Sequence, residues 1–327
     1  MTNDTMGQGS AQAPRLPVSD HGRAITPARS PRRGRGKLVL ALFRRDPVAL
    51  LAAAFLAAVV LAALLGPTLV GTGATTMNLA MRNQPPVFRG GSFSAVLGTD
   101  PLGRDLLGRI VLAARVSLTI AAVVVVSSLV IGTFLGTVAG YFGRVWDDVV
   151  MRIVDVFMGF PSLLLVIVII YAIGPGIFNL AIVLIATQWV LYARVTRADV
   201  LKLRQFEYVE AARAMGATHG RVLVRHVVPN LVPTLSTLAI LQVSGVILAE
   251  AGLSFLGLGV PDTSLGRLIA DGQKYISSAW WLVTFPGVAI LLTTMSLAIL
   301  ANWIVVFLDP AQRAQAAARL GITKASS

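Results

Sequence analysis

The chain has 327 residues, 55% of them apolar and 13% charged, and its mean hydropathy is +0.76. A soluble protein carries about 25% charged residues, so a water-facing globular enzyme is excluded. The net charge of +13 would suit nucleic acid, but it lies in the tails and between the apolar runs, which argues for membrane orientation, and the lack of cysteine excludes disulfides, thiolate catalysis and Cys-ligated metals.

Residues 1–46 are polar and basic, with Pro31-Arg32-Arg33-Gly34-Arg35-Gly36-Lys37 as the densest stretch. They predict a disordered tail that buries nothing, too long and too polar for a signal-peptide n-region. Pro47 to Val70 then runs 24 residues without a charge, and about 20 suffice for a membrane span. From Leu102 to Arg115, a helical wheel puts Leu102, Leu106, Leu107, Ile110 and Val111 on one half-circle and Arg104, Asp105, Arg109 and Arg115 on the other. This predicts an amphipathic helix over 102–115, flat at the outer interface with its arginines among headgroups.

Val116 to Gly143 is the next charge-free run and gives a second span, 116–142. Val156 to Ala193 is uncharged for 38 residues; as one helix it would be about 57 Å long against a hydrocarbon core of about 30 Å. It must fold back, and Gly174-Pro175-Gly176 is the turn, leaving spans 156–173 and 177–193. Spans 227–249 and 280–308 follow, the last with Pro286 as a tolerated kink. The reading is an all-α polytopic membrane protein with six transmembrane helices over 47–308 and tails 1–46 and 309–327 on one side. Of the 28 Lys and Arg, 21 fall in segments on the side of the N-terminus and seven on the other, which puts both tails in the cytoplasm.

The longest charged stretch between spans is the loop 194–229. Glu207 and Glu210 followed by Arg213 suit a helix dipole, Gly216 a left-handed C-terminal cap, and Thr218 the cap of a second short helix. Pro229 and Pro233 mark re-entry to the membrane. Read blandly this is a solvated connector; read functionally it is a helix-turn-helix that docks on a cytoplasmic partner.

Here the residues carry a resemblance. Glu210-Ala211-Ala212, three residues, Gly216, then nine residues to His226-Val227-Val228-Pro229 is similar to the EAA loop of ABC importer permeases, with His226 in place of Ile and Val228 in place of Leu. Gly98-Thr99-Asp100-Pro101-Leu102-Gly103-Arg104-Asp105, Ala114 to Leu118, Gly140-Tyr141-Phe142-Gly143, Phe160-Pro161, Glu250 to Gly259 and Ser264 to Gly272 resemble, in order, segments of the C-type permeases for dipeptides and oligopeptides. The resemblance covers about residues 38 to 312. It implies a type I ABC importer permease fold in a bacterial plasma membrane, without cofactor, metal or enzyme chemistry of its own. It also implies a B-type second permease, two ATPase subunits and an extracytoplasmic binding protein as partners, with lipid around the chain and no nucleic acid. Related permeases for nickel complexes, glutathione or another small solute are the alternative in the same class.

Within that resemblance the coupling residues are Glu207, Glu210, Ala211, Ala212, Arg213, Gly216, His226 and Pro229, with small alanines allowing close approach to the ATPase and Glu210 offering a charge-assisted bond. Gly132, Gly136 and Gly140 make two overlapping GxxxG steps, read as close helix packing with a hinge at Gly136 as the alternative. Asp155, Glu250 and Asp271 are candidate pathway or gate residues; Asp155 and Glu250 sit at expected span ends, where interfacial pairing competes with a place in the pathway. The sequence has no Walker A motif and no HExxH, and Gly252 to Gly257 misses the nucleophile elbow by one position. An ion-coupled secondary transporter, the rival from another class, would need ionisable groups at mid-membrane.

Overall fold

The computed structural model describes residues 43–261 and 263–308; the tails expected at 1–46 and 309–327 fall almost wholly outside them. Helix α1 (Pro47–Leu69) begins where the Asp46 carboxylate accepts from the backbone N–H groups of Val48 and Ala49, with Pro47 at the first helical position. It is apolar all round, and Leu51 and Leu64 remain about 70% exposed, as suits a lipid-facing helix.

Helix α2 (Leu106–Phe142) is continuous for 37 residues, about 55 Å. The separate flat helix expected over 102–115 is therefore corrected: its residues from Leu106 onward are the first turns of α2. No proline interrupts the segment, and Asp105 caps it by accepting from Gly108 N–H at 2.8 Å. The headgroup placement of the arginines fails for Arg109, which is buried against Asp100 at 2.6 Å.

The expected span 156–173 is also corrected. Helices α3 (Arg144–Met158) and α4 (Ser162–Ile173) meet at a bend of 87°. Pro161 pushes Phe160 out of the helical region, and Gly159 adds freedom beside it. Helix α4 alone, at 12 residues, would reach about 18 Å. Helix α5 (Ile177–Leu203) then runs ten residues beyond the expected 193 and carries Arg194 and Arg197 out of the apolar zone.

Helices α2 and α5 lie side by side along the glycine stripe. A methyl on Gly132 would stand 2.5 Å from Tyr192 Cβ, on Gly136 2.8 Å from Thr196 Cβ, and on Gly140 2.9 Å from Val200 Cβ. The paired numbers rise together, so the two helices are parallel. The chain between Phe142 and Ile177 must therefore return to the end where α2 begins, and the bent pair α3–α4 makes that return. Among the described residues, five helices are long and apolar enough to span a membrane, and the bent pair makes up to six crossings.

The loop connecting α5 onward holds α6 (Glu207–Ala214) and α7 (His219–Val222), then a π-turn, Leu223–Val227. Helices α8 (Val228–Phe255), α9 (Leu265–Gln273) and α10 (Trp281–Leu308) complete the bundle. Its main core joins Ile120 and Val124 of α2, Ile170 of α4, Leu184 of α5 and Ile247 of α8. At one end the Trp303 indole N–H donates to Asp46 at 3.1 Å, and Phe43 meets Trp303 edge-on. The two ends of the described chain thus leave the bundle at one face, which is also the face of α6.

At the opposite face residues 71–105 fold into a cap of short 3-10 turns. Its knot is Asp100, whose carboxylate accepts from Leu102 N–H, Arg104 N–H and the guanidinium groups of Arg104 and Arg109. Gly103 has φ +74°, and a side chain there would run into the Asn78 carbonyl carbon at 2.6 Å. The Trp281 indole closes the knot by donating to the Thr99 carbonyl at 3.4 Å.

Candidate coupling site

Helix α6 follows Phe206 and carries Glu207 and Glu210 in its first turn and Arg213 in its last, an order that opposes the partial charges of the helix ends. It stops because Gly216 turns left-handed, with φ +81°, a conformation a β-carbon strains. The Thr218 hydroxyl then accepts from Arg221 N–H and starts α7. Pro229 explains the π-turn that follows. Pro229 has no N–H for the Arg225 carbonyl and its ring would crowd that carbonyl; the chain widens one turn and Val228 N–H reaches back to Leu223 O instead.

The underside of this loop is a small core of its own. Val209 and Ala212 of α6, Val222 of α7 and Val227 of the π-turn pack with Tyr141 at the end of α2 and with Tyr192 and Val200 of α5. The upper side is open. Glu207, Glu210, Ala211, Arg213 and Gly216 are exposed, and beside them Phe206, Tyr208 and Met215 leave 48%, 43% and 82% of their surface uncovered.

Of the residues proposed for coupling, Ala212 is the one that faces inward, where it seats the helix. His226 is half-buried beside the Tyr208 ring, with centroids 6.0 Å apart, and its carbonyl accepts from the Asn230 amide at 2.6 Å. Pro229 is exposed at the first turn of α8.

The candidate pathway residues do not converge. Asp155 is exposed on α3, Asp271 pairs with Arg267 at 3.1 Å on half-exposed α9, and Gly136 sits in the α2–α5 seam. Glu250 is completely buried rather than interfacial: its carboxylate accepts from Ser117 of α2 at 2.6 Å and from Ser254 at 2.7 Å. Ser254 also accepts from Val260 N–H, so this carboxyl ties α2, α8 and the following turn together. An apolar cleft of ≈ 730 Å³ opens between α2 and α8, lined by Phe134, Val138, Leu223, Val228 and Val232 among others.

Several residues that organise this end escaped the sequence reading. Asp147 of α3 takes two N–H bonds from Arg197 of α5. The Arg204 guanidinium donates to the Gly140 carbonyl at 3.0 Å. Tyr141 and His219 lie 3.1 Å apart, hydroxyl to Nδ1, across 78 positions of sequence; no local pattern announces such a pair.

Comparison with known proteins supplies an independent line. A family described as "Binding-protein-dependent transport system inner membrane component" matches residues 132–314. The "N-terminal TM domain of oligopeptide transport permease C" matches residues 34–86. The chain is similar to the di/tripeptide transport system permease protein of Pseudomonas aeruginosa, 39% identical over 69% of this chain and 75% of the relative. It is 33% identical to the dipeptide transport system permease protein of Alkalihalophilus pseudofirmus over 82% of this chain and 87% of the relative. For the dipeptide permease of Bacillus subtilis the identity is 34%, over 83% and 84%.

Proposed function

Since the chain belongs to the binding-protein-dependent transport system inner membrane component family, we propose that it forms half of the membrane pathway of an ATP-driven importer of di- or oligopeptides. The substrate class rests on the names of the relatives, several of which are dipeptide permeases. A B-type permease supplies the other half, two ATPase subunits drive the pair, and an extracytoplasmic binding protein delivers the peptide. Residues 47–308 are the permease unit, crossing six times with the bent α3–α4 pair as the third crossing. Both tails are cytoplasmic, following the distribution of Lys and Arg.

The observation that carries the coupling role is the two-sided build of α6. Its inner side is fixed on a core, while its outer side presents two carboxylates, an alanine and bare apolar rings to a partner. A docked ATPase would cover Phe206, Tyr208 and Met215, and Glu210 would meet one of its cations or N–H groups. Closure of the ATPase pair would then push a rigid lever rather than a slack loop.

The test uses Glu210→Lys and Gly216→Val in the reconstituted full complex. Both are expected to reach the membrane in normal amounts, to lose bound ATPase subunits or substrate-stimulated hydrolysis, and to fail in import. Normal import by both would make the loop a connector.

One observation favours a second reading. Glu250 is an ionisable group buried within a span, the feature an ion-coupled transporter needs. Its two oxygens are already engaged by Ser117 and Ser254, which favours a structural role. Import that continues with an ATPase subunit unable to hydrolyse ATP would support the rival.

A further inference from the structure

We propose that Tyr141, the next-to-last residue of α2, is the joint through which movement of the coupling loop reaches the membrane helices, and that it acts as a positioning residue for transport. The inference rests on α6 being the ATPase seat.

Three groups of observations carry it. First, the Tyr141 side chain is held by the loop from several directions. The Arg213 guanidinium of α6 lies over its ring at 4.8 Å, and His219 of α7 meets its hydroxyl at 3.1 Å and its ring edge-on at 5.6 Å. Phe142 closes against both rings, at 5.2 and 6.0 Å. Tyr141 is buried, beneath the exposed side of the loop. A shift of α6 and α7 as a body must therefore displace the last turn of α2.

Second, the half of α2 nearest this joint is held to α5 mainly by packing. Its contact with α5 runs along Gly132, Gly136 and Gly140. The hydroxyls of Thr133 and Thr137 on α2, and of Tyr192 and Thr196 on α5, are buried with no hydrogen-bond partner. Those four hydroxyls add no directional bond to the seam, so its register there is set by the glycine contacts and by the Arg204 bond to the Gly140 carbonyl, and a small axial movement has these to overcome. The ≈ 730 Å³ cleft on the other side of this half leaves room for it.

Third, the far end of α2 is pinned. Arg109 is locked to Asp100 in the cap, and Ser117 to buried Glu250 of α8. A helix fixed at one end and driven at the other swings or bends between them, which is how a displacement at the loop becomes a change in the opening beside α8. Interfaces of this type have discrete arrangements rather than a continuous give.

The experiment measures, in proteoliposomes with the full complex, the ATPase subunits bound, hydrolysis, and import per ATP hydrolysed. Tyr141→Ala is expected to keep its ATPase subunits and hydrolysis while import per ATP falls about fivefold or more. His219→Ala, on the exposed rim of the joint, is expected to lower the ratio by less. Tyr141→Phe, which keeps the ring under Arg213, is expected to restore most of it; a role in bulk stability alone would not move this ratio. Unchanged import per ATP in Tyr141→Ala would overturn the joint. So would loss of bound ATPase subunits in Tyr141→Ala, since the residue would then be part of the seat and not of the transmission. The two readings are separable: Glu210→Lys retaining bound ATPase and import refutes the seat, whereas Glu210→Lys failing while Tyr141→Ala transports normally refutes only the joint.

Discussion

Adding one methyl to the α2–α5 seam should destabilise the bundle, although alanine is the better helix former. At Gly132 the new carbon would lie 2.5 Å from Tyr192 Cβ and 2.9 Å from the Ala193 nitrogen. Ordinary carbon contacts lie at about 3.5–4.0 Å, so the helices must part by roughly 1 Å. The obstacles are backbone and Cβ atoms, which no rotamer change removes. Overpacking of this kind costs about 1–3 kcal/mol, against an intrinsic helix gain of about 0.8–1.0 kcal/mol for Gly→Ala. The net expectation for Gly132→Ala is a loss of up to about 2 kcal/mol. Gly252 in α8 is the control, since nothing lies within 4 Å of an added methyl there; Gly252→Ala should gain close to the full helix term, about 1 kcal/mol. Unfolding of the purified subunit in detergent can be followed by tryptophan fluorescence, with Trp189 in the α5 segment that faces Gly132. A Gly132→Ala variant as stable as Gly252→Ala would refute the close-packed seam.

Two further outcomes are expected. Arg109→Gln leaves Asp100, 2% exposed, without its buried partner, so it should cost about 3 kcal/mol and lower the unfolding midpoint, whereas Arg104→Gln, at a 22% exposed side chain, should cost about 1 kcal/mol; equal midpoints would contradict the knot. In a chain without native cysteine, Phe93→Cys on the cap should react with an impermeant thiol reagent in intact cells and Met215→Cys in the loop should not; the reverse pattern would invert the orientation.

Local signals in the sequence reported local structure well. The cap at Thr218 and the left-handed Gly216 follow from side-chain chemistry within a few residues, and the spacing of Gly132, Gly136 and Gly140 marked a packing face without naming its partner. The break at Gly159-Phe160-Pro161 was written just as locally, but counting a charge-free run gives proline no weight, so one continuous span was expected. Arg109 lay beyond sequence reasoning for another reason. A helical wheel assigns it to the polar face, and polar normally means wet. Its true environment depends on Asp100, brought over it by a glycine turn whose geometry no periodicity encodes. Tyr141 and His219 meet through the packing of two helix ends and a loop, which only the assembled bundle defines.

The bond between Ser117 and Glu250 spans 133 positions, and this sets a clock on biosynthesis. At about 5–20 residues per second, roughly 7–27 s separate the emergence of the two residues from the ribosome. Throughout that interval α2 stands in the bilayer with its serine unanswered, and for the first part of it with its glycine groove open to lipid or to other nascent helices. Parallel α5 arrives midway and closes the groove; α8 comes last, and the carboxyl it carries enters a site already shaped to receive it. A chain truncated between α2 and α5, with serine and groove both still open, should therefore be the form most exposed to membrane quality control.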